Sequence, residues 1–194
     1  RNIHPCALEV VKYLIERGIA PNSDTLSHAA ENSGSCALDI VKLLIGRGVD
    51  LHKRDVFHGT AFVEALNEGN TDICDYLLSR DDFYLSDLMP QLSILEIDAF
   101  EPHVEMHFKY IGDSNTYITY RGKAISRVSK LIDEKGLPYA RAVAADIEKI
   151  LKNEEPKPTE EDIEALQPLI KKITSKDWVN DAQVSCDDFM GCMG

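Results

Sequence analysis

Apolar residues return at helical spacing in three stretches of the first half of the chain. Val10, Tyr13 and Leu14 fall on one face of a helix, Ile40, Leu43 and Leu44 do so thirty residues later, and Ile73, Tyr76, Leu77 and Leu78 follow after another 33. The first two stretches, residues 7–18 and 37–48, match almost position for position, and Gly18 and Gly48 stand where a residue without a Cβ accepts the left-handed cap of a helix. Ahead of the second and third stretches lie Leu26 to Ala30 and Phe62 to Leu66, each predicting a short helix with small residues where a neighbour packs closely. The repeating unit is therefore two antiparallel helices and a turn, and a repeat of this period predicts a stacked solenoid.

The pattern changes after Arg80. Leu85, Leu88, Met89, Leu92, Leu95 and Ile97, interrupted by Pro90, predict a segment that closes the last repeat. From His103 the apolar period becomes two, with Val104, Met106, Phe108 and Tyr110 alternating with polar residues. A turn signal at Gly112 to Asn115 leads into Thr116 to Tyr120, which is rich in β-branched and aromatic residues, so a β-hairpin is expected. Helices are expected through Ile125 to Ile132, ended by Gly136, and through Tyr139 to Leu151 after Pro138. A charged, proline-bearing connector covers 153–158, Thr159 is a good N-cap for a helix from Glu160, and Pro168 is expected to split or kink that helix. The tail from about Asn180 reads as frayed.

The first half resembles the ankyrin repeat family. Gly48-Val49-Asp50 and the residues through Asp55, then Thr60 to Val63, Ala65, and Gly69 to Ile73, follow without a gap the family's finger, its first-helix start and its second-helix start. His58 stands where the finger normally has glycine, with Gly59 one place later, and Ala61 and Val63 replace the usual proline and histidine. The finger ahead of Leu26 is six residues shorter than the one ahead of Phe62, while 31–36 is three longer than its counterpart, which accounts for a period of 30 against 33. The resemblance covers roughly residues 6 to 83. Arg1 to Pro5 align with the inter-helix loop at 31–35, so the helix that should pack on the first stretch is missing. The expectation is an excerpt of a longer array, with upstream repeats covering that helix.

The fold expected is mainly α: an ankyrin-type helix-turn-helix solenoid with an incomplete first repeat and a capping segment over residues 1–99, then a small α+β module with a β-hairpin and two helices at 100–152. A linker at 153–159 and a C-terminal helix with a frayed tail at 160–194 complete the chain.

Charge narrows the function. Against 21 Lys+Arg stand 33 Asp+Glu, for a net charge of -12, and both halves are acidic. Neither offers the basic face that displaces counterions from a phosphate backbone, which argues against a nucleic-acid partner. No run of eighteen apolar residues is present, so no membrane span is expected. Cys6, Cys36 and Cys74 fall at repeat positions and read as small apolar side chains in a reducing, cytoplasmic or otherwise intracellular compartment.

Candidate chemistry is sparse. His103, Glu105 and His107 share one face of a strand, but no further protein ligand can be named beside them and no metal site is expected. Cys186 and Cys192 lack the spacing of a zinc knuckle, and Gly112 and Gly122-Lys123 do not make a phosphate loop. Cys74 stands among Asp72 and Asp75, which would raise a thiol pKa. No catalytic residue and no cofactor is expected.

Hairpin tips of a solenoid are held by the stack yet contribute little to its core, so polar side chains there are available for recognition. His52, Lys53, Arg54, Asp55 and His58 are such tip residues. The resemblance adds Ser27, His28, Glu31, Glu64 and Asn67 on the exposed face of the first helices, while Asp50 and Thr60 read as turn and cap residues. The function expected is a non-enzymatic protein-protein interaction domain, with Glu31, Glu64 and Glu68 suited to a basic partner segment. The alternative is a set of targeting repeats in a larger enzyme or a secreted host-directed effector.

Overall fold

The computed structural model describes residues 6–55, 59–88, 114–152 and 158–175. The chain divides into two compact units between Arg80 and Asp81.

The first unit contains α1 (Cys6–Glu16), α2 (Ser23–Glu31), α3 (Ala37–Gly46), α4 (Ala61–Asn67) and α5 (Thr71–Ser79). α2 packs against α3 and α4, α4 against α5, and α1 and α5 each against α3. Two rows result, one of short first helices (α2, α4) and one of second helices (α1, α3, α5). The core between them is Leu26, Ala30, Val41, Leu44, Phe62, Ala65, Ile73 and Leu77, each at most 2% exposed. Ala30 and Ala65 let the short helices approach closely, since their side chains end at Cβ.

Local signals start and stop these helices. Asn22 caps α2 through a reciprocal pair: its Oδ1 accepts from Thr25 N at 3.0 Å, and its own N donates to Thr25 Oγ1 at 3.4 Å. Thr60 Oγ1 accepts from Val63 N to cap α4. Gly18 and Gly48 follow α1 and α3 with φ of 90° and 87°, the left-handed values at which a Cβ is penalised. Between the layers, Asn70 Nδ2 donates to the Ala30 carbonyl at 2.7 Å and reaches the Asn32 carbonyl at 3.4 Å, so one side chain ties the end of α2 to the start of α5.

The second unit contains a 3-10 turn (Leu85–Asp87), α6 (Ser114–Lys135), α7 (Leu137–Leu151) and α8 (Glu160–Ile173). The three helices pack on one another, and the 3-10 turn packs on α7. Tyr117, Tyr120, Ala124, Val128, Leu131 and Ile132 of α6 meet Ala140, Val143, Ile147 and Ile150 of α7 and Leu166, Leu169 and Ile170 of α8 in a core. Gly136, at φ 71°, turns the chain between α6 and α7.

The expected β-hairpin is overturned. Thr116 to Tyr120, read as its second strand, lies inside α6, and no strand occurs among the described residues. The burial pattern gives the physical reason. Tyr117 and Tyr120 are buried while Ile118 and Thr119 between them are exposed, and the buried positions go on through Ala124, Val128 and Leu131 at helical steps of three and four. Strand preference over five residues is weak, and packing of a 22-residue amphipathic helix outweighs it. The module is therefore helical where described, and the proposed first strand, His103 to Tyr110, lies outside the described residues. Pro168 does not split α8, which runs from Glu160 to Ile173 with the proline on its exposed side. No described helix is long and apolar enough to cross a membrane.

Candidate interaction surface

The open edge of the first unit is built by the short helices α2 and α4 and the finger that enters α4. Asp50 shapes the start of that finger, its Oδ1 accepting from His52 N at 2.9 Å. Asp55 closes it: Asp55 N donates to the Gly59 carbonyl at 2.9 Å, and Gly59 N donates to Asp55 Oδ1 at 3.1 Å. Asp55 is consequently buried. Its side chain is committed to holding the finger shut, so it acts on the surface through charge more than through contact.

Gly59 matters for a second reason. A Cβ built there would meet the Glu64 carboxyl group, with Cδ at 2.9 Å and Cγ at 3.4 Å. Gly59 is thus the platform on which the Glu64 side chain lies.

Glu64 is the electrostatic centre of the surface. Burial raises its pKa from 4.5 to about 7, the negative charges of Asp55 and Glu31 push it in the same direction, a hydrogen bond with Asn67 opposes them, and Glu68 adds a smaller upward push. Three carboxyl groups, Glu31 of α2, Asp55 of the finger and Glu68 at the C-cap of α4, therefore act on Glu64. Glu31 also meets the exposed ring of His28, with Nδ1 and Oε2 at 3.1 Å.

Of the residues expected to bind a partner, the structure brings Glu31, Asp55, Glu64 and Asn67 into one interacting group and adds His28 through Glu31. His52 and Arg54 stand half-buried on the finger and Lys53 is exposed there. His58 lies outside the described residues. Ser27, expected on the open face, is 1% exposed and faces inward, its hydroxyl without a hydrogen-bond partner. Sequence reasoning missed Gly59 as a seat for Glu64. Only the one-residue offset of the finger glycine hinted at it.

Among the described residues no group of three or more His, Cys, Asp and Glu side chains is arranged to hold a metal ion. The arrangement can attract and partly neutralise itself with cationic groups, and one of its carboxyls can exchange a proton near neutrality. Comparison with protein-family models, characterised proteins and solved structures returns no match for this chain.

Proposed function

We propose that the first unit is an ankyrin-type interaction domain, working as a protein-binding module rather than an enzyme, and that a partner segment carrying Lys or Arg docks along α2, α4 and the finger at 50–59. The observation that carries this reading is the convergence of Glu31, Asp55, Glu64 and Glu68 on one edge of the helix stack. A surface that holds like charges together is destabilised by their repulsion, and a cationic partner relieves it. The two rows of helices support the ankyrin resemblance, because they give the finger and first helices a rigid backing. Cys36 and Cys74 are both unbridged, which supports an intracellular, reducing setting for the interaction.

Affinity would come from a few residues among many moderate contacts. The test is capture of a protein partner by the full chain, compared with a Glu31→Gln, Glu64→Gln, Glu68→Gln variant whose thermal midpoint is no lower. Loss of a discrete captured protein in the variant, and weaker capture at raised salt, are the expected results. Equal capture by both chains rejects the assigned face.

A further inference from the structure

Asn70 stands at the N-cap of α5, the position at which an asparagine normally accepts a hydrogen bond from the first turn of its own helix. It makes no such bond there. Its main chain is fixed on two sides: Asn70 N donates to the Ala65 carbonyl of α4 at 2.8 Å, and the Asn70 carbonyl accepts from Ile73 N and Cys74 N, each at 3.0 Å, to start α5. Its side chain reaches a third helix, where Nδ2 donates to the Ala30 carbonyl at 2.7 Å and to the Asn32 carbonyl at 3.4 Å.

Those two carbonyls belong to the residues on either side of Glu31, and the Ala65 carbonyl belongs to the residue after Glu64. Asn70 therefore joins the backbone beside one carboxyl group to the backbone that flanks the other. α2 ends at Glu31, with Asn32 already extended, and the last carbonyls of a helix have no partner within it. Here the donor comes from 40 residues further along the chain.

Glu31 needs such a hold. It acts on Glu64, a half-buried carboxyl group that also feels Asp55 of the finger and Glu68 at the C-cap of α4. Like charges brought together separate wherever the chain allows it, and the last residue of a helix is the easiest to swing away. We infer that Asn70 is a positioning residue of the acidic edge: by gripping the backbone on both sides of Glu31 while holding Ala65, it sets the separation of the Glu31 and Glu64 carboxyl groups. The inference rests on the partner reading for its use, since the pair held in this way is what a Lys or Arg side chain would meet on α2 and α4. The surface of the α2–α3 pair is thus assembled by a residue of the α4–α5 pair. Asparagine suits the place chemically, because an aspartate of the same size has no N–H to offer a carbonyl, and a serine, which also caps helices well, is too short to reach Ala30.

The test is the titration of Glu64 in the full chain, followed at its own carboxyl carbon by NMR, in the parent, Asn70→Ala, Glu31→Gln and the double variant. With the grip removed Glu31 moves off, and the Glu64 midpoint should fall from about 7 by roughly 0.5. Glu31→Gln alone should lower it at least as far, and Asn70→Ala should add nothing in that background, because it acts through Glu31. A shift of equal size in both backgrounds overturns the inference, since Asn70 would then be loosening the stack around Glu64 in general. An unchanged midpoint in Asn70→Ala overturns it too. If the alanine chain fails to fold, Asn70→Ser keeps a cap for α5, cannot reach Ala30, and carries the same expectations. Capture of a protein partner is scored separately: capture indifferent to Glu31→Gln, Glu64→Gln, Glu68→Gln rejects the partner reading, while the Glu64 titration still decides the role of Asn70.

Discussion

The Tyr117 hydroxyl of α6 donates a hydrogen bond to Asp162 Oδ1 of α8 at 3.0 Å. Arg121, one turn further along α6, donates to the same oxygen through Nη1 at 2.8 Å, and Asp162 Oδ2 accepts from both the hydroxyl and the amide of Thr159 in a capping box. One carboxylate thus starts α8 and ties it to α6. The Asp162 and Arg121 side chains are only 1% and 11% exposed, so water does not compensate a lost partner. Burial and the neighbouring carboxylate hold the Tyr117 phenol well above its ordinary pKa, so it stays a donor at neutral pH.

Removing the two partners should therefore have unequal effects. Tyr117→Phe loses one bond while Arg121 still neutralises Asp162, an expected cost of about 1 kcal/mol. Arg121→Met leaves a buried carboxylate without its cation and should cost about 3 kcal/mol. Chemical denaturation of the two variants at neutral pH checks the order. A larger loss for Tyr117→Phe would mean that Asp162 is held mainly by the phenol.

How far this fold is legible in the sequence depends on whether a signal is local. The helix faces of α1, α3 and α5 and the glycines after two of them are written in spacing and in single residues, and so is the Thr159 cap. Thr116 to Tyr120 misleads because β-branched and aromatic residues suit a strand locally, while the tyrosines are chosen for their place in a helical core, one of them to reach an aspartate 45 residues away. The candidate surface divides in the same way. Its residues could be listed from the repeat register, but the burial of Ser27, the inward turn of Asp55 and the perturbation of Glu64 arise from segments meeting in space, which spacing does not encode.

Ser86 and Asp146 form a second buried link within the helical unit. The Ser86 hydroxyl donates to Asp146 Oδ1 at 2.5 Å and its amide to Oδ2 at 3.2 Å. Burial raises the pKa of Asp146, and these donors partly offset that rise. Ser86→Ala should cost about 2 kcal/mol at neutral pH. The loss should shrink as pH falls through the carboxyl range, because a protonated Asp146 needs the hydroxyl less than a carboxylate does. A cost independent of pH would show that Asp146 is not charged in the folded protein.

Two glycines near the end of α3 should respond to alanine in opposite directions. Gly46 is exposed, is the last residue of the helix, and has nothing within 4 Å of an added Cβ, so Gly46→Ala should stabilise by about 0.5 kcal/mol through the unfolded chain and helix propensity. Gly48 is equally uncrowded but has a φ of 87°, so Gly48→Ala should destabilise by about 1 kcal/mol from backbone strain alone. Denaturation midpoints of the two variants decide it. Equal effects would show that the chain after α3 relaxes out of the left-handed turn.

Glu64 gives stability and binding opposite dependences on pH. Its pKa is 4.5 in an ordinary setting and about 7 in the fold, so the folded protein holds the proton more tightly than the unfolded chain. Stability from this group is fully present below about pH 4.5 and is lost as pH rises through 7, a fall of about 2 kcal/mol after allowance for its half-exposed setting. Glu64→Gln removes that slope, so urea denaturation at pH 5.5 and pH 8 should separate the two proteins at the higher pH, with the variant the more stable. A cationic partner segment favours the carboxylate, so its affinity should rise over the same interval in the parent chain and stay flat in Glu64→Gln. Parallel pH profiles for the two chains, in stability or in binding, would show that Glu64 ionises as a solvated carboxylate and is not the centre of the acidic edge.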